Sequence, residues 1–100
     1  MTWPLGDPPN SAVYTTKRVA SGGAAVVLVV RDDEGDWQAV DAGSDPETDA
    51  ALLALAELLR MQPDLEPVLE RLDKLGWGWQ AERGAGAEWT YSPFRLDDVE

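Results

Sequence analysis

Residues 24 to 30, AAVVLVV, form a seven-residue apolar run, and RDDEGD follows at once. The run is rich in valine and too short for a free-standing helix, the pattern of a strand buried on both faces. Asp32, Asp33, Glu34 and Gly35 supply a turn in which Gly35 takes the positive-φ position. The next segment, DWQAVD, alternates, which sends Trp37 and Ala39 to one face and Gln38 and Val40 to the other. An antiparallel hairpin therefore lies at the heart of the fold, with 24–31 as its central strand, and the rest of the chain must cover it.

The flanking segments supply the cover. Val13 and Tyr14 open a short strand, and Thr15 or Thr16 caps a brief helical turn through Ser21, which Gly22 and Gly23 end. In SDPETDAALLALAELLRM, Ser44 or Asp45 can cap a helix over about 46–61 with Pro46 in its first turn. Asp45, Glu47 and Asp49 then lie where the helix dipole favours anions, and Leu52, Leu55 and Leu59 form the apolar stripe. A second helix is expected over about 65–75, with Asp64 as N-cap, a buried face of Leu65, Val68, Leu69, Leu72 and Leu75, and Gly76 at its stop. GWGWQAER places Trp77, Trp79 and Ala81 on one side of a strand, Gly84, Ala85 and Gly86 turn the chain, and AEWTYS returns with Trp89 and Tyr91. The order predicts an α+β fold, a mostly antiparallel sheet of about four strands with two main helices on one face. Residues 1–11 read as a flexible arm unless Trp3 docks on the body, 12–94 as a single domain, and 95–100 as an acidic tail that frays.

Composition narrows the chemistry. The 100 residues include no cysteine and no histidine, which removes thiolate nucleophiles, disulfides, the commonest general base and the commonest metal ligands. No serine has a histidine to activate it, and Gly22-Gly23 precede a strand instead of joining a strand to a helix, so they do not make a phosphate loop. Catalysis is the least supported class, no cofactor is implied, and the expectation is a protein that is not an enzyme. The apolar run is far below the roughly twenty residues of a membrane helix, and the N-terminal stretch has no signal-peptide pattern, so a cytoplasmic protein is expected. Nineteen acids against eight bases give a formal charge of -11, which disfavours nucleic acid and anionic lipid and favours a basic partner.

Two features are candidates for a binding role. Asp32, Asp33, Glu34 and Asp36 do not form an EF-hand loop, because the sixth position from Asp32 is Trp37 and the twelfth is Gly43. Together with Asp41, Asp45, Glu47 and Asp49 they make an acidic stretch able to steer a basic protein. A soluble turn and a helix-dipole complement account for the same residues without any partner. Asp41 to Asp49 should cluster near one end of the sheet and the 32–36 turn at the other, as two patches or one curved stripe. Trp37, Trp77, Trp79 and Trp89 all fall on expected strands; at least two belong in the core, and Trp77 or Trp89 is the candidate anchor for a partner.

The segments TTKRVASGGAAVVLVVRDDEGDWQAV and LDKLGWGWQAER resemble a group of small bacterial proteins related to immunity proteins of polymorphic toxin systems. The resemblance spans roughly residues 15–83 and rests on a threonine-rich opening, a valine strand, an acid-rich turn before Gly-Asp-Trp-Gln, and a late Gly-Trp. Ala39-Val40 and the leucine-rich middle depart from that pattern. It implies a small acidic domain that binds and blocks one toxin, and it carries no catalytic residue. The expected function is thus an acidic protein-binding domain, an immunity-type inhibitor occluding a basic partner such as a toxin or nuclease. The alternative is a homo-oligomeric structural or accessory domain, for instance a homodimer.

Overall fold

The computed structural model describes residues 3, 5–45, 47–84 and 88–93. The expected positions of Pro46, of the Ala85-Gly86 turn and of the 95–100 tail fall outside these residues. Among the described residues the order is β1 (Ala12–Thr16), α1 (Lys17–Ala20), β2 (Leu28–Arg31), β3 (Trp37–Val40), β4 (Ala50–Ala54), α2 (Leu55–Met61), a 3-10 turn (Pro63–Leu65), α3 (Glu66–Leu75), β5 (Trp79–Arg83) and β6 (Trp89–Pro93). The class is α+β. The sheet has six strands in the order β4-β1-β3-β2-β5-β6, more than the four expected, and it is mixed because β1 and β3 run parallel.

The central hairpin forms as the residue pattern dictates: β2 and β3 pair antiparallel with Val29 opposite Ala39 and Arg31 opposite Trp37, and Gly35 takes φ +86°. The strand is shorter than the apolar run. Ala24, Ala25 and Val26 lie before it, with the Val26 N–H and the Ala24 carbonyl satisfied by the two ends of the Gln62 amide at 3.1 Å each. Thr16 caps α1 as expected, accepting from Val19 N, and Gly22 ends that turn at φ +85°.

The expected helix over 46–61 is corrected in its first half: Ala50–Ala54 is the edge strand β4, paired antiparallel with β1 from Ala12↔Ala54 to Thr16↔Ala50. Nothing in Ala-Ala-Leu-Leu-Ala opposes a helix, so tertiary context decides. β1 has one edge on β3, and its other edge carries backbone groups that need partners; β4 supplies them. A turn precedes β4, in which Asp45 Oδ1 accepts from Glu47 N at 2.9 Å and the Asp45 carbonyl accepts from Asp49 N at 2.8 Å. The helix proper starts at Leu55 and has no side-chain cap. Its first N–H groups donate instead to the carbonyls of Ser11 and Pro9, at 2.8 and 2.9 Å.

That cap belongs to residues 1–11, expected to be a flexible arm unless Trp3 docks on the body. It is docked: Leu5 is buried in the core, Trp3 packs against it, and Trp3 Nε1 donates to the Asp7 carbonyl. The core between sheet and helices is Val13, Val29, Trp37, Ala39 and Ala81 from the strands against Leu55, Leu58, Leu59, Leu65, Val68, Leu69 and Leu72. Leu65, Val68, Leu69 and Leu72 are the expected face of the last helix, and Gly76 closes it at φ +96°; Asp64 lies in the 3-10 turn and does not cap it. Leu75 packs on the core only in part.

The arm is fastened by a charge no apolar pattern announces. Arg31, the last residue of β2, is 5% exposed on the helix-facing side of the sheet, 4.5 Å above the Trp37 ring. Its guanidinium donates to Asp73 Oδ1 of α3 at 2.7 Å and to both carboxylate oxygens of Asp7 at 3.0 and 3.1 Å. Trp37 Nε1 also donates to Asp7, at 2.8 Å, and Gly6 N to Asp73 at 3.0 Å. Removing one partner leaves a buried cation short of its counter-charge. Asp7→Asn is therefore expected to cost about 1–3 kcal/mol in urea denaturation. Asp33→Asn, a charge change of equal size on an exposed turn, should stay within about 0.5 kcal/mol. Equal effects from the two would remove the case for the network.

Candidate functional site

Strand directions put the acidic residues at two ends of the sheet. The 32–36 turn joins β2 to β3 at one end, whereas Asp41 follows β3 and Asp45, Glu47 and Asp49 precede β4 at the other. β3 separates them by its four residues, about 13 Å of strand. They are two patches. The second forms around a turn leading into β4, not around a helix N-terminus as expected.

Within the first patch the carboxylates have different tasks. Asp32 Oδ1 accepts from Glu34 N and Asp36 N, each at 2.9 Å, and so shapes the turn, leaving Asp33, Glu34 and Asp36 exposed. Trp77 lies against this turn. Gly76 and Gly78, at φ +96° and +87°, flank it, and the Gly78 N–H donates to the carbonyls of Arg31 at 2.8 Å and Asp32 at 3.2 Å. This places the indole over Gly35 so closely that a Cβ there would stand 2.7 Å from Trp77 Cε2. Glycine at 35 is thus required twice, for its backbone conformation and for the ring. Trp77 remains 61% exposed. The result is an open aromatic face seated on a turn that carries three exposed acids, with its backing fixed by backbone hydrogen bonds.

The other tryptophans are not equivalent to it. Trp37 is core. Trp79 and Trp89 are half-buried and pack on the core, and Trp89 lies beneath the Arg83 guanidinium at 5.9 Å. Of the two candidate anchors, Trp77 alone presents a free ring. Sequence spacing put Trp77 on the same strand face as Trp79; the two glycines instead hold it ahead of β5, which begins at Trp79.

In the second patch Asp41 faces inward. It is 6% exposed and accepts from Thr16 Oγ1 at 2.6 Å, Ser44 Oγ at 3.0 Å and Gly43 N at 3.2 Å, with the Arg18 guanidinium at 3.6 Å. It is unavailable as a surface contact. Asp45 and Glu47 are exposed and Asp49 half-exposed, with Asp49 Oδ2 accepting from Asp45 N at 3.3 Å. Among the described residues no three His, Cys, Asp or Glu side chains converge as a metal site. An open groove of about 370 Å³ is lined by Gly22, Ala25, Met61 and Gln62 and by none of the acids of the two patches.

The hydrogen bond from Thr16, more than offsetting the opposing effect of burial, holds the Asp41 carboxyl below the usual carboxylate range, with Ser44 and Gly43 adding to it. A group with a depressed folded pKa stabilises fully above its unfolded value, about 3.9 for aspartate, and loses that contribution as the pH falls through its folded pKa. Asp41→Asn is thus expected to be less stable than the native chain at pH 7, the deficit narrowing as the pH falls below about 4. Urea titrations across that interval check it, and a pH-independent deficit would contradict it.

No protein-family model, no curated protein and no solved structure matched the chain in comparison.

Proposed function

We propose that this protein is a small acidic protein-binding domain that occludes a basic surface of its partner, an immunity-type inhibitor in mode of action. One observation carries the reading: the exposed Trp77 ring is set on Gly35 of the Asp32–Asp36 turn, whose Asp33, Glu34 and Asp36 are exposed. A tryptophan face attracts a guanidinium or ammonium, and carboxylates beside it strengthen the attraction and supply acceptors. Exposed aromatics encircled by polar groups are the composition of interface hot spots, and a fixed backing lowers the ordering cost on binding. The net charge of -11 adds long-range steering toward a basic protein and works against nucleic acid. The surface asks for a partner that presents arginine or lysine and has its active face blocked as a consequence.

Three variants separate anchor, charge and geometry. Trp77→Ala removes the ring; the triple change Asp33→Asn, Glu34→Gln and Asp36→Asn removes charge but keeps Asp32, which holds the turn; Gly35→Ala displaces the ring without removing either. With a basic protein captured by the native chain, each is expected to weaken binding by roughly tenfold or more. The native affinity should fall steeply with salt, whereas that of the triple variant should fall little. Thermal melting of Trp77→Ala and the triple variant near the native value would show that folding is not the cause. Binding that ignores both salt and Trp77 would overturn the proposal.

A further inference from the structure

Among the described residues the sheet has an edge strand, β4, paired on one side only. Leu55 N donates to the Ser11 carbonyl and Lys17 N to the Asp49 carbonyl, so the hydrogen-bonded pairs between β1 and β4 are 11/55, 13/53, 15/51 and 17/49. It follows that Ala50, Leu52 and Ala54 direct their backbone groups away from β1, and among the described residues β4 has no strand on that side. Natural edges are commonly blunted by lysine, proline or a bulge. β4, Ala-Ala-Leu-Leu-Ala, has none of the three, and its register with β1 is continuous over five residues. Leu52 is 62% exposed, and its cross-strand neighbour Tyr14 is 52% exposed on the same face of the sheet.

Charge indicates the occupant. At the N-terminal end of β4 the exposed carboxylates of Asp45 and Glu47 and the half-exposed Asp49 gather in one turn, with Lys17 beside them. At the C-terminal end Glu57 is bound by Arg60. The negative end is therefore the N-terminal one. A second copy pairing antiparallel through its own β4 would set this turn against the Glu57 end of the other chain, between molecules each of formal charge -11. An extended segment with basic residues meets no such opposition.

We propose that β4 accepts an extended peptide as an additional antiparallel strand, with an apolar side chain beside Leu52, which Tyr14 flanks from β1 on the same face, and lysine or arginine at its C-terminal end over the Asp45–Asp49 turn. Backbone hydrogen bonds to Ala50 and Leu52 would give the affinity, and the apolar pair and the acidic turn the selectivity. This is a second surface, and it does not depend on the Trp77 reading.

The test uses the full chain and a short amidated probe of alternating threonine and valine ending in two lysines, followed by amide NMR. The expected result is a shift of the Ala50–Ala54 amides and slowed exchange of the Leu52 N–H, with Gly35 and Trp77 unmoved. The same probe ending in two glutamates should bind at least about tenfold more weakly. So should the lysine probe against Asp45→Asn, Glu47→Gln, Asp49→Asn. Leu52→Lys, an edge-blunting charge that leaves the β1 ladder intact, should abolish the shifts, and Trp77→Ala should not. The proposal is overturned if shifts appear at Gly35 and Trp77 instead, or if the glutamate probe binds equally well. It is also overturned if sedimentation shows the native chain already dimeric and Leu52→Lys monomeric, which would make the occupant a second copy.

Discussion

A single buried cation organises this fold. Arg31 ends the central strand, and without Asp7 and Asp73 its burial over Trp37 would be prohibitive. Those two carboxylates come from opposite parts of the chain, one before β1 and one in α3. Satisfying Arg31 therefore brings the N-terminal segment to the helix layer and fixes where α3 crosses the sheet. The consequences spread outward: Leu5 enters the core, and the carbonyls of Pro9 and Ser11 take the first N–H groups of α2, which has no polar cap of its own. A buried ion pair adds little net stability compared with apolar packing, but a displaced register leaves the cation unpaired, so it specifies one arrangement over its neighbours.

The same neighbourhood sets the surface proposed to bind. The Arg31 carbonyl accepts from Gly78 N, which holds the loop bearing Trp77 against the acidic turn while the Arg31 side chain points to the core. One residue thus links the interior network to the exposed indole. At the other end of the sheet the acids divide: Asp41 is spent on Thr16, which in turn caps α1, and Asp45, Glu47 and Asp49 remain for solvent or a partner. Eight acids that read as one stretch along the chain become a turn-former, an internal acceptor and two groups of surface charge.

The central hairpin, its turn at Gly35, the Thr16 cap, the Gly76 stop and the buried face of α3 were legible because each rests on contacts within a few residues. Residues 50–54 were not. Alanine and leucine fit helix or strand, and the vacant edge of β1 that decides between them lies far away in sequence. The arm was legible only in its Trp3, named as the residue that would dock it. Its prolines and glycine exclude regular structure, and the rest of the docking, one buried leucine, one aspartate and two carbonyls, leaves no periodic trace.

By itself the sequence determined the acidic surface, the absence of cysteine and histidine chemistry, the α+β class and the central hairpin, since composition and short-range periodicity are local properties of the chain. Only the tertiary structure decided that Trp77 rests on Gly35 in the acidic turn, that Asp41 turns inward, and that β4 closes one side of β1 and is the edge strand among the described residues. Each of those outcomes depends on pairing between segments distant in sequence. Their partners are chosen by the need to satisfy buried charge and backbone groups, which no local pattern encodes.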